Sequence, residues 1–287
     1  MDGRVLITGK TGFIGGHTAN AFAKLNYRVI SFVGDVTKEE DWQKNLSFEV
    51  DCIVHIAGVR TESKHDFEIN TVAAESLART VRRIVKKPPA IIFTSTQAVY
   101  LGQRTPFRED MPVKPPTKYA QSKVEAEKII MQLGRENLMR VVILRLSAVL
   151  GSGIRPESKM SGPLEKWTKA ALKNEPILVF QDGSQTRDYI HVNDVVSAIL
   201  LAAEEEKMAG IFNVGGGKRI KLSTLAQWIK KETASKSQII IRGNYPSLTD
   251  PHDLFSDLSS IRKFGWKPLR SPKEAVREYI ACFLDGD

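Results

Sequence analysis

A doubly wound α/β fold, a parallel sheet covered by helices on both faces, is the architecture that this 287-residue sequence predicts. Three observations predict it. Strand-like and helix-like segments alternate through the first half of the chain, the rhythm of a parallel sheet with crossover helices. The strands are apolar almost without a break, as in Val141-Val142-Ile143-Leu144, which fits burial on both sides. A glycine-rich turn, Thr8-Gly9-Lys10-Thr11-Gly12-Phe13-Ile14-Gly15, joins the first strand to the first helix.

In order, Arg4 to Ile7 reads as strand, Phe13 to Leu25 as helix and Tyr27 to Val33 as strand. Lys38 to Leu46 is a short helix, Asp51 to Ile56 a strand, Phe67 to Val85 a helix and Ala90 to Ser95 a strand. Lys118 to Gly134 follows as helix and Arg140 to Leu146 as strand. After Gly151 the rhythm breaks: Gly151 to Pro163 is rich in Gly, Ser and Pro and reads as a loop. Shorter mixed elements follow, as expected of a smaller lobe over the carboxyl ends of the strands, where open α/β sheets bind ligands. Pro272 to Leu284 reads as an amphipathic packing helix.

Composition narrows the classes. Hydrophobic content of 42% and charge of 26% are ordinary globular values. No run of 18 or more apolar residues exists, which argues against a transmembrane helix. The chain enters a strand within about four residues, so no signal peptide is expected. Cys52 and Cys282 lie far apart, so a reducing, cytoplasmic setting is expected. Cys52 and His55 have a metal-like spacing, but both fall in an apolar strand with no second pair nearby, so no metal site is expected. The net charge of +9 is spread along the chain, densest at Arg82-Arg83 with Lys86-Lys87 and at Lys218-Arg219 with Lys221. Neither group is interleaved with aromatics as single-strand binders require. A solvated basic surface that attracts a small diphosphate is preferred to nucleic-acid binding.

The chemistry concentrates in three places. Gly9, Gly12 and Gly15 open a helix after a strand, where backbone can approach a dinucleotide pyrophosphate and the helix N-terminus favours its charge. Thr94-Ser95-Thr96 ends a strand, 23 residues before Tyr119. Tyr119-Ala120-Gln121-Ser122-Lys123 places a phenol and an ammonium four apart, on one helix face. An ammonium beside a phenol stabilises the phenolate, turning an acid of ordinary pKa about 10 into a base usable near neutrality. A nicotinamide beside it would supply hydride chemistry.

That ordered set resembles the extended short-chain dehydrogenase/reductase family, in particular its nucleotide-sugar epimerases and dehydratases, over Val5 to about Phe283. The resemblance implies a Rossmann-type domain over 1–150, with 188–205 returning to it, and a mainly substrate-binding α/β lobe over 151–287. It implies Thr96, Tyr119 and Lys123 as catalytic residues, Tyr119 the acid/base. Gly9, Lys10, Thr11, Gly12, Phe13, Ile14, Gly15, Asp35, Val36, Ala57, Gly58 and Asn70 would join Tyr119 and Lys123 around NAD, with NADP as the alternative. Asp35 follows the second strand and could bond the adenine ribose. Gly34-Asp35-Val36-Thr37 also resembles the segment that cups the adenine one element later. On that reading the usual intervening strand and helix are lost, as in the dehydrorhamnose-reductase branch, and Lys10 either faces a 2′-phosphate or is solvated.

Dehydratases of the family carry acidic residues just after the catalytic hydroxyl. Here those places are Gln97 and Ala98, which cannot move a proton, so epimerisation or ketone reduction is expected. Gly183 to Asp194 resembles the family's substrate segment. Arg187 matches its diphosphate arginine, for which a guanidinium fork is suited. In that segment Asp188 and Asp194 read as loop-setting and helix-capping, and His191 as a packed core residue. Thr96, Gln97, Arg187 and Arg155 form the expected substrate set. Two departures stand out: the family's asparagine in the Arg145-Leu146-Ser147-Ala148 segment is Ala148, and its second phosphate-binding arginine falls near Ser247. Arg155, Lys159 or Arg242 could compensate. A homodimer through Val124, Ala126, Ile129 and Ile130 is the family expectation, although core packing accounts equally well for these residues. The expected function is an NAD(P)-dependent nucleotide-sugar epimerase. A keto-sugar reductase is the first alternative. A non-catalytic dinucleotide-sensing or RNA-associated protein is another, though such proteins tend to lose the tyrosine or lysine that are intact here.

Overall fold

The apolar strands alternate their side chains between two separate cores, and this alternation builds the molecule. The computed structural model describes residues 3–59, 66–84, 88–154, 163–243 and 252–284. Six strands form one parallel sheet: β1 (Arg4–Thr8), β2 (Arg28–Ser31), β3 (Cys52–His55), β4 (Ala90–Thr96), β5 (Val141–Leu146) and a late strand, Gly210–Val214. Their order is late strand, β5, β4, β3, β1, β2.

On one face, Val5 and Ile7 of β1, Val54 of β3, Ile92 of β4 and Leu144 of β5 meet α1 (Phe13–Lys24) and the helix at Val192–Glu204. On the other, Leu6, Ile53, Ile91 and Ile143 meet α2 (Glu39–Asn45), α3 (Asp66–Ile84) and α4 (Lys118–Arg135). Neighbouring residues of one strand thus serve opposite cores, as the pleat requires. Each fully buried aliphatic side chain contributes about 1.5–3 kcal/mol, and two dry faces hold the strand ends rigidly in place.

The predicted elements stand within a few residues of their expected limits. The second strand is shorter than Tyr27 to Val33, because after Ser31 the chain turns into the Gly34–Thr37 loop; Val33 is 74% exposed. No strand lies outside β2 among the described residues, which matches the shortened form of the cofactor segment.

Beyond β5 come β6 (Ala148–Leu150), α5 (Pro163–Leu172), β7 (Ile177–Phe180), β8 (Thr186–Arg187) and β9 (Tyr189–His191). Then follow α6 (the helix at Val192–Glu204), β10 (the late sheet strand, Gly210–Val214), β11 (Ile220–Lys221), α7 (Leu222–Glu232), β12 (Ile239–Arg242), α8 (Ser259–Arg262) and α9 (Pro272–Leu284). The strand pairs β6–β9, β7–β12 and β8–β11 are small and separate. Their core is distinct: Trp167 of α5, Val179 of β7, Leu225 of α7 and Tyr279 of α9 pack together. The chain comes back to the large sheet at α6 and again at β10, so the return runs past the expected 188–205.

Of the four residues considered for a dimer face, Val124, Ala126 and Ile130 are buried within their own chain, and Ile129 is half-buried. Among the described residues no helix is long and apolar enough to cross a membrane.

Candidate active site

The glycine turn is built by close approach. Gly9 has φ +71°, and a Cβ there would stand 2.9 Å from the Ala57 nitrogen. A Cβ on Gly15 would stand 2.0 Å from the Gly9 carbonyl oxygen. Only bare backbone lets β1 turn into α1 this tightly. Gly12 caps α1 without any side-chain hydrogen bond, and the first turn carries no acidic residue. Free N–H groups at an uncapped N-terminus suit an anion, so these residues fit a dinucleotide pyrophosphate.

Thr8 at the end of β1 fixes the opposite wall. Its hydroxyl accepts hydrogen bonds from the Ile56 and Ala57 N–H groups at 3.1 and 3.0 Å and pairs with His55 Nδ1 at 2.7 Å. Asn70 continues that wall from α3. It accepts from the Val59 N–H at 3.1 Å, and its amide donates to the Val59 carbonyl and the Ser122 hydroxyl at 3.0 and 3.1 Å. These bonds tie the 57–59 segment to α4.

Lys123 is buried beneath this wall. Its ammonium donates to the Thr94 carbonyl at 3.0 Å and stands 4.8 Å from the Phe93 ring centre. Burial pushes Lys123 down to about 8, with the Glu127 carboxylate pulling the other way. Burial and the nearby Lys123 charge push His55 down to about 3, so its ring is neutral at neutral pH. Tyr119 is half-buried one turn earlier on α4, where Thr117 caps the helix by accepting from the Ala120 N–H. Thr96 is half-buried, and its hydroxyl accepts from the Ala98 N–H at 3.2 Å as it caps the turn after β4.

These parts border one cleft of about 980 Å³. Gly9, Thr11, Gly12, Phe13, Ile14, Gly15, Ala57 and Gly58 line it together with Thr96, Gln97, Tyr119, Lys123 and Arg187. Lys10, Asp35, Val36 and Asn70 do not line it. Asp35 is turned to its own loop: its carboxylate accepts from the Thr37 N–H and hydroxyl at 2.9 and 2.7 Å, and these bonds hold it below the usual carboxylate range. Val36 packs against the α2 side of the sheet and its carbonyl accepts from Trp42 Nε1 at 2.7 Å. Lys10 is exposed on the glycine turn. Arg155, Lys159 and the position near Ser247 lie outside the described residues. Arg242 ends β12, exposed and away from the lining.

Residues that the sequence reading missed also line the cleft. Lys166 and Trp167 reach the cleft from α5, with Phe180, Gln185 and Tyr189 nearby. The lining among described residues carries three cations, Lys123, Lys166 and Arg187, and no carboxylate, which suits a polyanion. Lys166 sits in an ordinary amphipathic helix, and no spacing marks it in one dimension.

The acidic residues of the Arg187 segment hold backbone. Asp188 is fully buried and accepts from the Gly216 N–H at 2.9 Å; burial pushes it up to about 7. Asp194 does not cap α6, as the sequence suggested. The His191 ring does so, accepting from the Asn193 N–H, while Asp194 accepts from the Leu269 and Arg270 N–H groups at 2.9 and 3.0 Å. The other His191 nitrogen meets Glu278 at 3.0 Å, in keeping with a packed residue. Cys52 and His55, three apart on a strand, face opposite sides, and among the described residues no cluster of three or more His, Cys, Asp or Glu could hold a metal.

Known proteins resemble this chain over nearly its whole length. A Methanocaldococcus jannaschii protein provisionally named a UDP-glucose 4-epimerase is 27% identical over 303 residues, covering 96% of this chain and 97% of the relative. The dTDP-4-dehydro-6-deoxyglucose reductase of Escherichia coli is 25% identical over 303 residues, covering 93% and 94%. Among solved structures, the Thermus thermophilus UDP-glucose 4-epimerase in complex with NAD superposes with a TM-score of 0.84 at 23% identity, covering 99% of this chain and all of that one. The family model for the NAD dependent epimerase/dehydratase family matches residues 5–215, a stretch that takes in the glycine turn, Tyr119, Lys123 and Arg187. On that match, which spans well over half of the sequence, the chain belongs to the NAD dependent epimerase/dehydratase family of enzymes.

Proposed function

We propose that the protein is an NAD(P)-dependent nucleotide-sugar epimerase acting at a sugar carbinol, with Thr96, Tyr119 and Lys123 as catalytic residues. The observation that carries this reading is one cleft lined by the glycine turn, these three residues and Arg187 alike. The bound cofactor supplies hydride exchange. Tyr119 takes the proton from the sugar hydroxyl and returns it. The Thr96 hydroxyl bonds the same oxygen. Lys123 holds the cofactor ribose and favours the ionised form of Tyr119. Arg187 and Lys166 hold the diphosphate. Gln97 and Ala98 offer no proton-transfer group, so loss of water from the sugar is disfavoured. The test is incubation with UDP- and dTDP-hexoses and chromatography of the products; absence of any isomer sinks the epimerase reading.

One observation favours a second reading, a keto-sugar reductase. The sheet ends at β2, the Asp35 carboxylate is engaged by Thr37, and Lys10 stands exposed on the glycine turn. That end suits a 2′-phosphate better than a bare ribose. A reductase consumes NADPH in proportion to product, and loss of absorbance at 340 nm reads this directly.

A further inference from the structure

Glu127 lies one helical turn beyond Lys123 on α4 and is 3% exposed. Ser95 donates a short hydrogen bond to its Oε1. Arg145 Nε donates to Oε1 and Oε2 at 3.1 and 3.2 Å, and Nη2 to Oε2 at 2.6 Å. Arg145 Nη1 donates in turn to the Tyr100 hydroxyl at 2.7 Å, which donates to Asn213 Oδ1 at 2.8 Å. One carboxylate therefore ties α4 to β4 and β5, and through Arg145 and Tyr100 to β10, beside Ser95 of the cleft lining.

Stability alone does not account for this placement, because a buried Glu–Arg pair is often matched by apolar residues of similar volume. Its neighbours point to the site. Ser95 immediately precedes Thr96. Lys123 holds an ammonium in the core with one carbonyl, the face of Phe93 and few other compensations. From β3 it faces neutral His55, from α3 the neutral amide of Asn70, from its own helix Tyr119 and Glu127; Arg145 on β5 is engaged by Glu127.

We propose that Glu127 is a positioning residue of this site: its carboxylate keeps Lys123 charged, and through Ser95 it fixes the strand end that carries Thr96. The inference rests on Thr96, Tyr119 and Lys123 being the catalytic set. It agrees with the opposing pull that Glu127 exerts as burial drives Lys123 down to about 8.

The test is a titration of Lys123 in the full chain labelled with carbon-13 at the lysine ε positions, the signal assigned by Lys123→Met. Glu127→Gln is expected to titrate Lys123 below neutrality, and Glu127→Asp to stay near wild type. The alkaline limb of the kcat profile should move down with it. At pH 8, where about half of the wild-type lysine is charged, kcat then falls by about fivefold or more, since each pH unit beyond the lysine's value removes about nine-tenths of its charged form; it recovers at pH 6. An unmoved Lys123 titration in folded Glu127→Gln overturns the proposal. Glu127→Gln leaves Arg145 unpaired, so Glu127→Gln/Arg145→Met, which removes both charges, carries the same measurement and the same two outcomes if the single variant does not fold. The titration needs no substrate. A wild-type protein that isomerises no sugar would therefore defeat the functional reading while the lysine signal still decides this one.

Discussion

The Lys123 ammonium and the Thr94 main-chain carbonyl are 3.0 Å apart, so a charge from α4 is moored to the strand that ends in Thr96. The mooring fixes distance but not solvation. Lys123 is 6% exposed, and burial lowers it from 10.5 to about 8. A site that holds a charge at such cost has a use for it.

The first prediction follows from that cost. A lowered lysine contributes stability that is present above its unfolded value near 10.5 and lost as pH falls through about 8. At neutral pH the buried charge therefore costs on the order of 3 kcal/mol, at about 1.4 kcal/mol per pH unit, less what its own contacts return. Lys123→Met should raise Tm at pH 7, lose that advantage by about pH 10, and reduce turnover by orders of magnitude. Calorimetry at both pH values checks it; a lower Tm at pH 7 would show that the contacts outweigh the burial.

Two buried groups set opposing pH slopes. Asp188 is raised by burial to about 7, so its contribution is present below an unfolded value near 3.8 and is lost as pH rises through 7. His55 is lowered to about 3, so its contribution is present above 6.5 and is lost as pH falls toward 3. Between about pH 4 and 6.5 the two nearly cancel. Asp188→Asn removes one slope. The variant should then lose about 2 kcal/mol more than wild type on going from pH 7 to pH 5, read from urea unfolding at each pH. Parallel curves for the two proteins would refute it.

The legible parts of this molecule are those written in local periodicity. The alternation of Val5, Leu6 and Ile7 announces two cores, and Gly9, Gly12 and Gly15 announce a turn with no room for side chains. Tyr119 and Lys123 could be read because helix geometry alone brings them to one face. Glu127 continues that face by one turn, yet nothing local says that Ser95 and Arg145, 32 and 18 residues away, converge on it. Lys166 was hidden for a related reason: its place in the cleft lining is made by the packing of α5 against β7 and α7. Asp194 misled because a carboxylate in a first helical turn looks like a cap, whereas the chain returns 75 residues later to use it.

Lys166 yields the third prediction. It lines a cleft free of carboxylates among the described residues. Lys166→Met should raise KM for a nucleotide-diphosphate sugar by about tenfold with kcat nearly unchanged, the mark of uniform binding lost. UDP binding measured by calorimetry should weaken equally, and its salt dependence should flatten. Unchanged UDP affinity would remove Lys166 from the diphosphate site.

The last prediction concerns the adenine end. The Asp35 carboxylate already accepts the Thr37 N–H and hydroxyl, and the residue is exposed and apart from the cleft lining. Asp35→Ala should therefore leave NADH affinity within about twofold, beyond any loosening of the loop. Lys10 is exposed on the glycine turn. Lys10→Ala should weaken NADPH by about tenfold, the scale of one charge-assisted contact, and NADH much less. Fluorescence titration of both variants with both cofactors separates the cases. Equal weakening of the two cofactors by Lys10→Ala would place that ammonium at the shared pyrophosphate. A tenfold loss of NADH in Asp35→Ala would return the acid to the ribose and require the 34–37 loop to rearrange when the cofactor binds.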